Sequence, residues 1–214
     1  MLHCMKKLFL LSLLLFAFQR VDAQTETKNI LFFGDSITAG YGVGQQQAYP
    51  ALIQQKIDSL GWHFNVINGG LSGETSAGGL RRIDWMLQKP VALFVLELGG
   101  NDGLRGINLQ STKQNLQAII DKVEQVYPGA KIVLAGMQVP PNLGKEYTRQ
   151  FKTMYPELAR KNDITLIPFL LKGVGGKPSL NQADEIHPNE AGHVIIAQTV
   201  WDYIKPLLQQ LRKQ

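Results

Sequence analysis

The chain has 214 residues, 44% of them hydrophobic and 18% charged, enough apolar material for one cored domain and too much for a disordered chain. With 21 Gly and 10 Pro it is neither collagen-like nor low in complexity. Its single cysteine, Cys4, excludes a disulfide framework and any thiolate metal cluster.

The N-terminus reads as a secretory signal peptide. Lys6 and Lys7 form a basic start, and Leu8 to Phe18 is an apolar run broken only by Ser12. Val21-Asp22-Ala23 offers a cut before Gln24. The run is shorter than the roughly 20 apolar residues that a membrane-spanning helix needs, so no stable membrane anchor is expected. Residues 1–23 are therefore expected to be removed, leaving residues 24–214 as one domain in the periplasm or outside the cell. Lys6, Lys7, Arg20 and Asp22 leave with the segment, so the formal charge falls from +5 to +3. That charge, without a run of Lys or Arg, gives no reason to expect nucleic-acid binding.

Five apolar, β-prone runs alternate with amphipathic segments. Ile30–Phe33 comes first, followed by a helical face marked by Leu52, Ile53, Ile57 and Leu60. Phe64–Ile67 comes next, with a less regular helix over Thr75–Gln88, weakened by Gly78 and Gly79. Val91–Leu96 precedes a helix with Leu116, Ile119, Ile120 and Val123 on one face. Lys131–Ala135 precedes one with Phe151, Met154, Tyr155 and Leu158. Ile164–Pro168 is the last run, and a final helix near Asn189 turns Ile196, Val200, Ile204 and Leu207 inward. Trp62, Trp85 and Trp201 are expected to pack. Unbroken apolar runs suit parallel strands covered on both faces. The alternation predicts an α/β fold, a flavodoxin-like three-layer α/β/α sandwich with a five-stranded parallel sheet in the order 2-1-3-4-5.

Ligands of such sheets bind beyond the carboxyl ends of the strands. Small polar clusters follow four of them: Gly34-Asp35-Ser36, Asn68 to Gly73, Gly99-Gly100-Asn101-Asp102, and Gly173–Gly176 leading to Asp184-Glu185-Ile186-His187. Ser36 could be a nucleophile, but a hydroxyl needs a base. Of His63, His187 and His193, only His187 stands in a loop, three residues after Asp184 and just before Pro188. That spacing lets the carboxylate take the imidazole Nδ1–H and leave Nε2 free for the serine proton; alone, it fits an Asp-capped turn with an exposed histidine as well. Gly73 and Ser36 can supply backbone N–H donors to an oxyanion, and Asn101 can supply its side-chain amide. Losing one such donor typically costs about 3 to 4 kcal/mol. Glu97, inside a strand, is expected to be a buried, hydrogen-bonded carboxylate. A Glu97/Asp102 acid pair for glycoside cleavage would leave Ser36 and His187 idle. A metal site of Asp184, His187 and His193 is a further alternative.

These residues, in this order, resemble the four blocks of the SGNH (GDSL) hydrolases: Gly34-Asp35-Ser36-Ile37-Thr38, Gly73, Gly99-Gly100-Asn101-Asp102 and Asp184-x-x-His187. The stretches Leu71–Ser76 and Leu96–Gly106 are similar to the periplasmic multifunctional thioesterase/arylesterase/lysophospholipase branch. The resemblance implies Ser36 as nucleophile, His187 as base and Asp184 as its orienting partner. It implies Ser36 N–H, Gly73 N–H and Asn101 as oxyanion donors, with no cofactor and no metal. Glu74 stands where that branch would have Asp. Small acyl esters, thioesters or lysophospholipids are the implied substrates, cleaved by a monomer. Removal of acetyl groups from glycans by the same residues is the alternative. Met137–Lys145 and Lys172–Gln182 are expected to shape the acyl pocket.

Overall fold

The computed structural model describes residues 27–213; the signal-peptide reading and the cut after Ala23 lie outside the described residues. Ile30, Leu31, Phe32 and Phe33 are all fully buried, which a strand achieves only with both its faces covered. They form the middle of β1 (Lys28–Gly34). Around it lie β2 (Phe64–Gly70), β3 (Leu93–Glu97), β4 (Lys131–Ala135) and β5 (Thr165–Ile167). All pairs are parallel, and the order is β2-β1-β3-β4-β5, as the alternation predicts.

The helices are α1 (Ser36–Ala39), α2 (Tyr49–Ser59), α3 (Ser76–Met86), α4 (Gly100–Leu104), α5 (Leu109–Val126), α6 (Lys145–Lys161) and α7 (Glu190–Leu211). α2 packs with α7, while α5 packs with α3 and with α6, so the sheet is sandwiched between two helical layers. The predicted inner faces of α5 and α6 are buried throughout. Among the described residues, no helix is long and apolar enough to cross a membrane.

Four expectations need correction. Edge strand β2 exposes Asn65 and Asn68 and only half-buries Val66 and Ile67, because among the described residues one side of it has no neighbouring strand. Leu60 lies past the last turn of α2 and is 47% exposed. Leu207 of α7 is only partly buried against the core, and its neighbour Leu208 is the fully buried one. Trp62 and Trp201 pack together with ring centres 5.9 Å apart, but Trp85 is 68% exposed.

The direction in which successive strands are laid across the sheet reverses between β1 and β3, the switch point at which doubly wound sheets open a crevice. In the ladder Gly34 is level with both Gly70 and Glu97, which brings the turns after β1, β2 and β3 to one height.

Candidate active site

The turn after β1 carries Ser36. Asp35 caps the short α1, its Oδ1 accepting from the Ile37 N–H at 3.0 Å, so the first turn is closed by its own side chain. Ser36 is left at the helix start, 7% exposed.

His187 arrives from the other end of the chain. Its carbonyl accepts from Gln182 N–H at 2.7 Å, and Pro188 bridges back to Asn181. Asn189 caps α7 by accepting from Gly192 N–H at 3.1 Å. Within this frame Asp184 closes a tight turn, Oδ1 accepting from Ile186 N–H at 2.9 Å and His187 N–H at 3.0 Å. Glu185, in the middle, has φ of 59°, a left-handed conformation that disfavours side chains. Three local hydrogen bonds hold it there.

The Asp184 Oδ2 atom lies 2.7 Å from His187 Nδ1, and His187 Nε2 lies 3.0 Å from Ser36 Oγ. The carboxylate thus makes Nδ1 the protonated nitrogen and leaves Nε2 to accept from the hydroxyl. The backbone N–H of His187, then its ring, pull the Asp184 carboxyl down to about 2. Tyr41 packs against the imidazole, the ring centres 4.6 Å apart and the planes tilted by 46°.

The α4 segment holds the second loop. Asn101 Nδ2 donates to the Glu74 carbonyl at 3.0 Å and to Asp35 Oδ2 at 3.2 Å. Arg105 donates to the Gly73 carbonyl at 3.2 Å. Asp102 accepts from Ser76 N–H at 2.8 Å and Ser76 Oγ at 2.5 Å. Gly73 has φ of 79°, which a residue with a Cβ would adopt only under strain. Among the described residues, nothing accepts from the N–H of Ser36 or of Gly73. Glu74 pairs with Arg82, which lies over the Phe33 ring, so its carboxylate anchors the loop to α3.

A cavity of about 460 Å³ opens beside these groups, within the size range of small-molecule sites. Ser36, Asn101 and His187 line it, with Leu104, Met137, Val139, Phe169, Leu171 and Ile186 supplying apolar walls. Gly73 is not in its wall, but adjoins Glu74, to which Asn101 is bonded. Met137–Lys145 contributes Met137 to Pro140, and Lys172–Gln182 contributes only Gly175 and Gly176.

The structure therefore brings Ser36, Asp184, His187 and Asn101 together. His63 and His193 stay apart from them. His193 is buried, its Nδ1 accepting from Tyr49 N–H at 3.2 Å, and burial pulls its imidazole down to about 4. Asp102 and Glu97 are buried off the cavity, which removes the glycoside-cleaving pair. Sequence reasoning did not identify Arg105 or the walls Leu104, Phe169 and Ile186. Leu104 and Ile186 could have been suspected as apolar residues set in polar turns; Phe169 and Arg105 carry no such signal.

Comparison with known proteins agrees with this geometry. Residues 32–195 match the GDSL-like lipase/acylhydrolase family model. The chain is 42% identical over 187 residues to Esterase TesA of Pseudomonas aeruginosa, covering 86% of this chain and 92% of that protein. It is 38% identical over 199 residues to thioesterase 1/protease 1/lysophospholipase L1 of Escherichia coli strain K12, covering 92% of this chain and 91% of that protein. The crystal structure of the psychrotrophic esterase EstA from Pseudoalteromonas sp., inhibited by monoethylphosphonate, superposes with a TM-score of 0.80 at 34% identity, over 85% of this chain and 99% of that one.

Proposed function

Because the chain belongs to the GDSL-like lipase/acylhydrolase family and is a carboxylic ester hydrolase, we propose that it works through an acyl-enzyme on Ser36. His187 Nε2 takes the hydroxyl proton as Oγ attacks the acyl carbon. Asp184 stabilises the imidazolium that forms. The tetrahedral oxygen receives the N–H groups of Ser36 and Gly73 and the Asn101 amide. His187 then hands its proton to the leaving alkoxide or thiolate, which departs. Water, deprotonated by the same nitrogen, attacks the acyl-enzyme and frees the acid. The observation that carries this reading is the continuous relay from Asp184 Oδ2 through His187 to Ser36 Oγ, with links of 2.7 and 3.0 Å. Inhibition of the EstA relative by a phosphonate supports it.

Acyl esters are the substrates. Thioesters and lysophospholipids are included in the proposal on the names of the relatives and on the apolar cavity walls, which suit an alkyl chain better than an acetylated sugar. Residues 1–23 would export the enzyme, placing its work outside the cytoplasm.

The test is fluorophosphonate labelling of purified protein, with a chain-length series of aryl esters run in parallel. Wild type should label at Ser36. Ser36→Ala should neither label nor turn over, while unfolding at the wild-type temperature. Turnover by a folded Ser36→Ala variant would overturn the mechanism.

A further inference from the structure

Behind Ser36, on the side away from the cavity, β3 ends in a carboxyl group that the reaction does not use. Glu97 is level with Gly34 in the ladder and fully buried. One of its oxygens, Oε2, accepts from Asp35 N–H at 3.1 Å and from Thr38 Oγ1 at 2.8 Å. Chain on both sides of the nucleophile is thus tied to a single atom. Tyr49 extends the chain: its hydroxyl lies 2.8 Å from Thr38 Oγ1 and donates to it, since the threonine proton goes to Glu97. A Cβ at Gly34 would overlap Thr38 Oγ1 and Glu97 Oε2, so the glycine before the turn is what permits this approach.

The other oxygen, Oε1, is buried without a hydrogen-bond partner among the described residues. An ionised carboxylate in that state is strongly disfavoured. Burial, and then the neighbouring Asp35, push the Glu97 carboxyl well above the usual range. The titratable groups facing it are Asp35 from the β1–α1 turn, Tyr49 from α2 and Tyr155 from α6, with His187 beyond Asp35. The Glu97 carboxyl is thus pushed towards its neutral form, with Oε2 as the shared acceptor for Asp35 N–H and Thr38 Oγ1.

We propose that Glu97 is a positioning residue for the nucleophile: as a buried acceptor bonded on both sides of Ser36 it fixes the Ser36 turn against His187 and, through Asp35, holds Asn101 in place. The proposal rests on Ser36 being the nucleophile.

Glu97→Leu, Glu97→Gln and Thr38→Val test it, read by fluorophosphonate labelling rate, by kcat and KM on a soluble short-chain aryl ester, and by unfolding temperature. Glu97→Leu should slow labelling and kcat on the order of 10- to 100-fold at unchanged KM, the effect of a slightly displaced reacting group. Glu97→Gln keeps the accepting oxygen without a charge and should rescue both rates to within about threefold. Should Glu97→Leu not fold, Thr38→Val removes one of the two bonds to Oε2, and its labelling and kcat should fall together with KM unchanged. A folded Leu or Val variant that labels at the wild-type rate would overturn the proposal. So would a Gln variant as slow as Leu, or a loss confined to KM. Wild-type protein that turns over ester without labelling at Ser36 would instead overturn the nucleophile assignment, and the proposal with it.

Discussion

The Asn101 side chain donates to the Asp35 carboxylate at 3.2 Å, and its remaining N–H goes to the Glu74 carbonyl. The amide is therefore engaged and oriented before substrate arrives. Reaction exchanges one of these acceptors for the tetrahedral oxygen, so the benefit falls on the transition state. Asn101→Ala should lower kcat by about 10²- to 10³-fold with little change in KM. Steady-state kinetics on an aryl butyrate checks this; an unchanged kcat would remove Asn101 from the chemistry.

Asp184 holds the imidazole in one tautomer. The amide of Asp184→Asn would present an N–H to His187 Nδ1, leaving the proton on Nε2, where it opposes transfer from Ser36. We expect kcat to drop on the order of 10³-fold or more. The carboxyl of Asp184 is held near 2 in the folded chain, against 3.8 ordinarily. Its contribution to stability is thus present above about pH 4 and is lost as pH falls towards 2. At neutral pH the variant should stay folded by circular dichroism while turnover collapses; turnover near wild type would mean that the tautomer is set elsewhere.

Gly175 lines the cavity, and a Cβ there would meet Phe169 Cζ at 3.4 Å and Leu171 Cβ at 3.5 Å, ordinary contact distances. Gly175→Val should therefore fold while narrowing the acyl site. Hydrolysis of an octanoyl ester should fall about tenfold or more relative to an acetyl ester. A chain-length series of kcat/KM values reads this directly, and an unaltered profile would place the alkyl chain elsewhere.

His193 supplies a pH-dependent stability term. Burial holds it near 4 in the folded chain, against 6.5 in the unfolded one. Protons therefore favour the unfolded state, and the term is lost as pH falls from about 6.5 to about 4. His193→Gln can still accept from Tyr49 N–H but cannot take up the proton. Between pH 7 and pH 5 the Tm of wild type should drop by a few degrees relative to this variant. Parallel Tm curves would contradict the burial argument.

The central strands and the inner faces of α5 and α6 were legible because both faces of β1 and β3 are covered, leaving unbroken apolar runs, and because a helix on a sheet repeats its buried face. Trp85 escaped because apolar character alone does not say which side of a short helix meets the sheet, and Leu60 because it does not say where the helix ends. At the site, Ser36, Asp184 and His187 were legible as polar residues in turns after strands, but as a set only through the resemblance of the four ordered blocks to the SGNH hydrolases, since the Asp-x-x-His spacing alone fits a capped turn as well. Arg105 was not, since it acts by holding a backbone carbonyl, a contact that depends on where two loops meet. The double use of Glu97 Oε2 was likewise invisible: a lone Glu in an apolar strand announces a buried acid, but not which donors reach it.

The base and its orienting carboxylate sit three residues apart, whereas the nucleophile lies 151 residues upstream of the base. Assembly of the relay thus waits for the chain's final quarter, when α7 settles against α2. A fragment truncated before Asp184 would carry an inert serine, and regained turnover during refolding would report when that docking is complete.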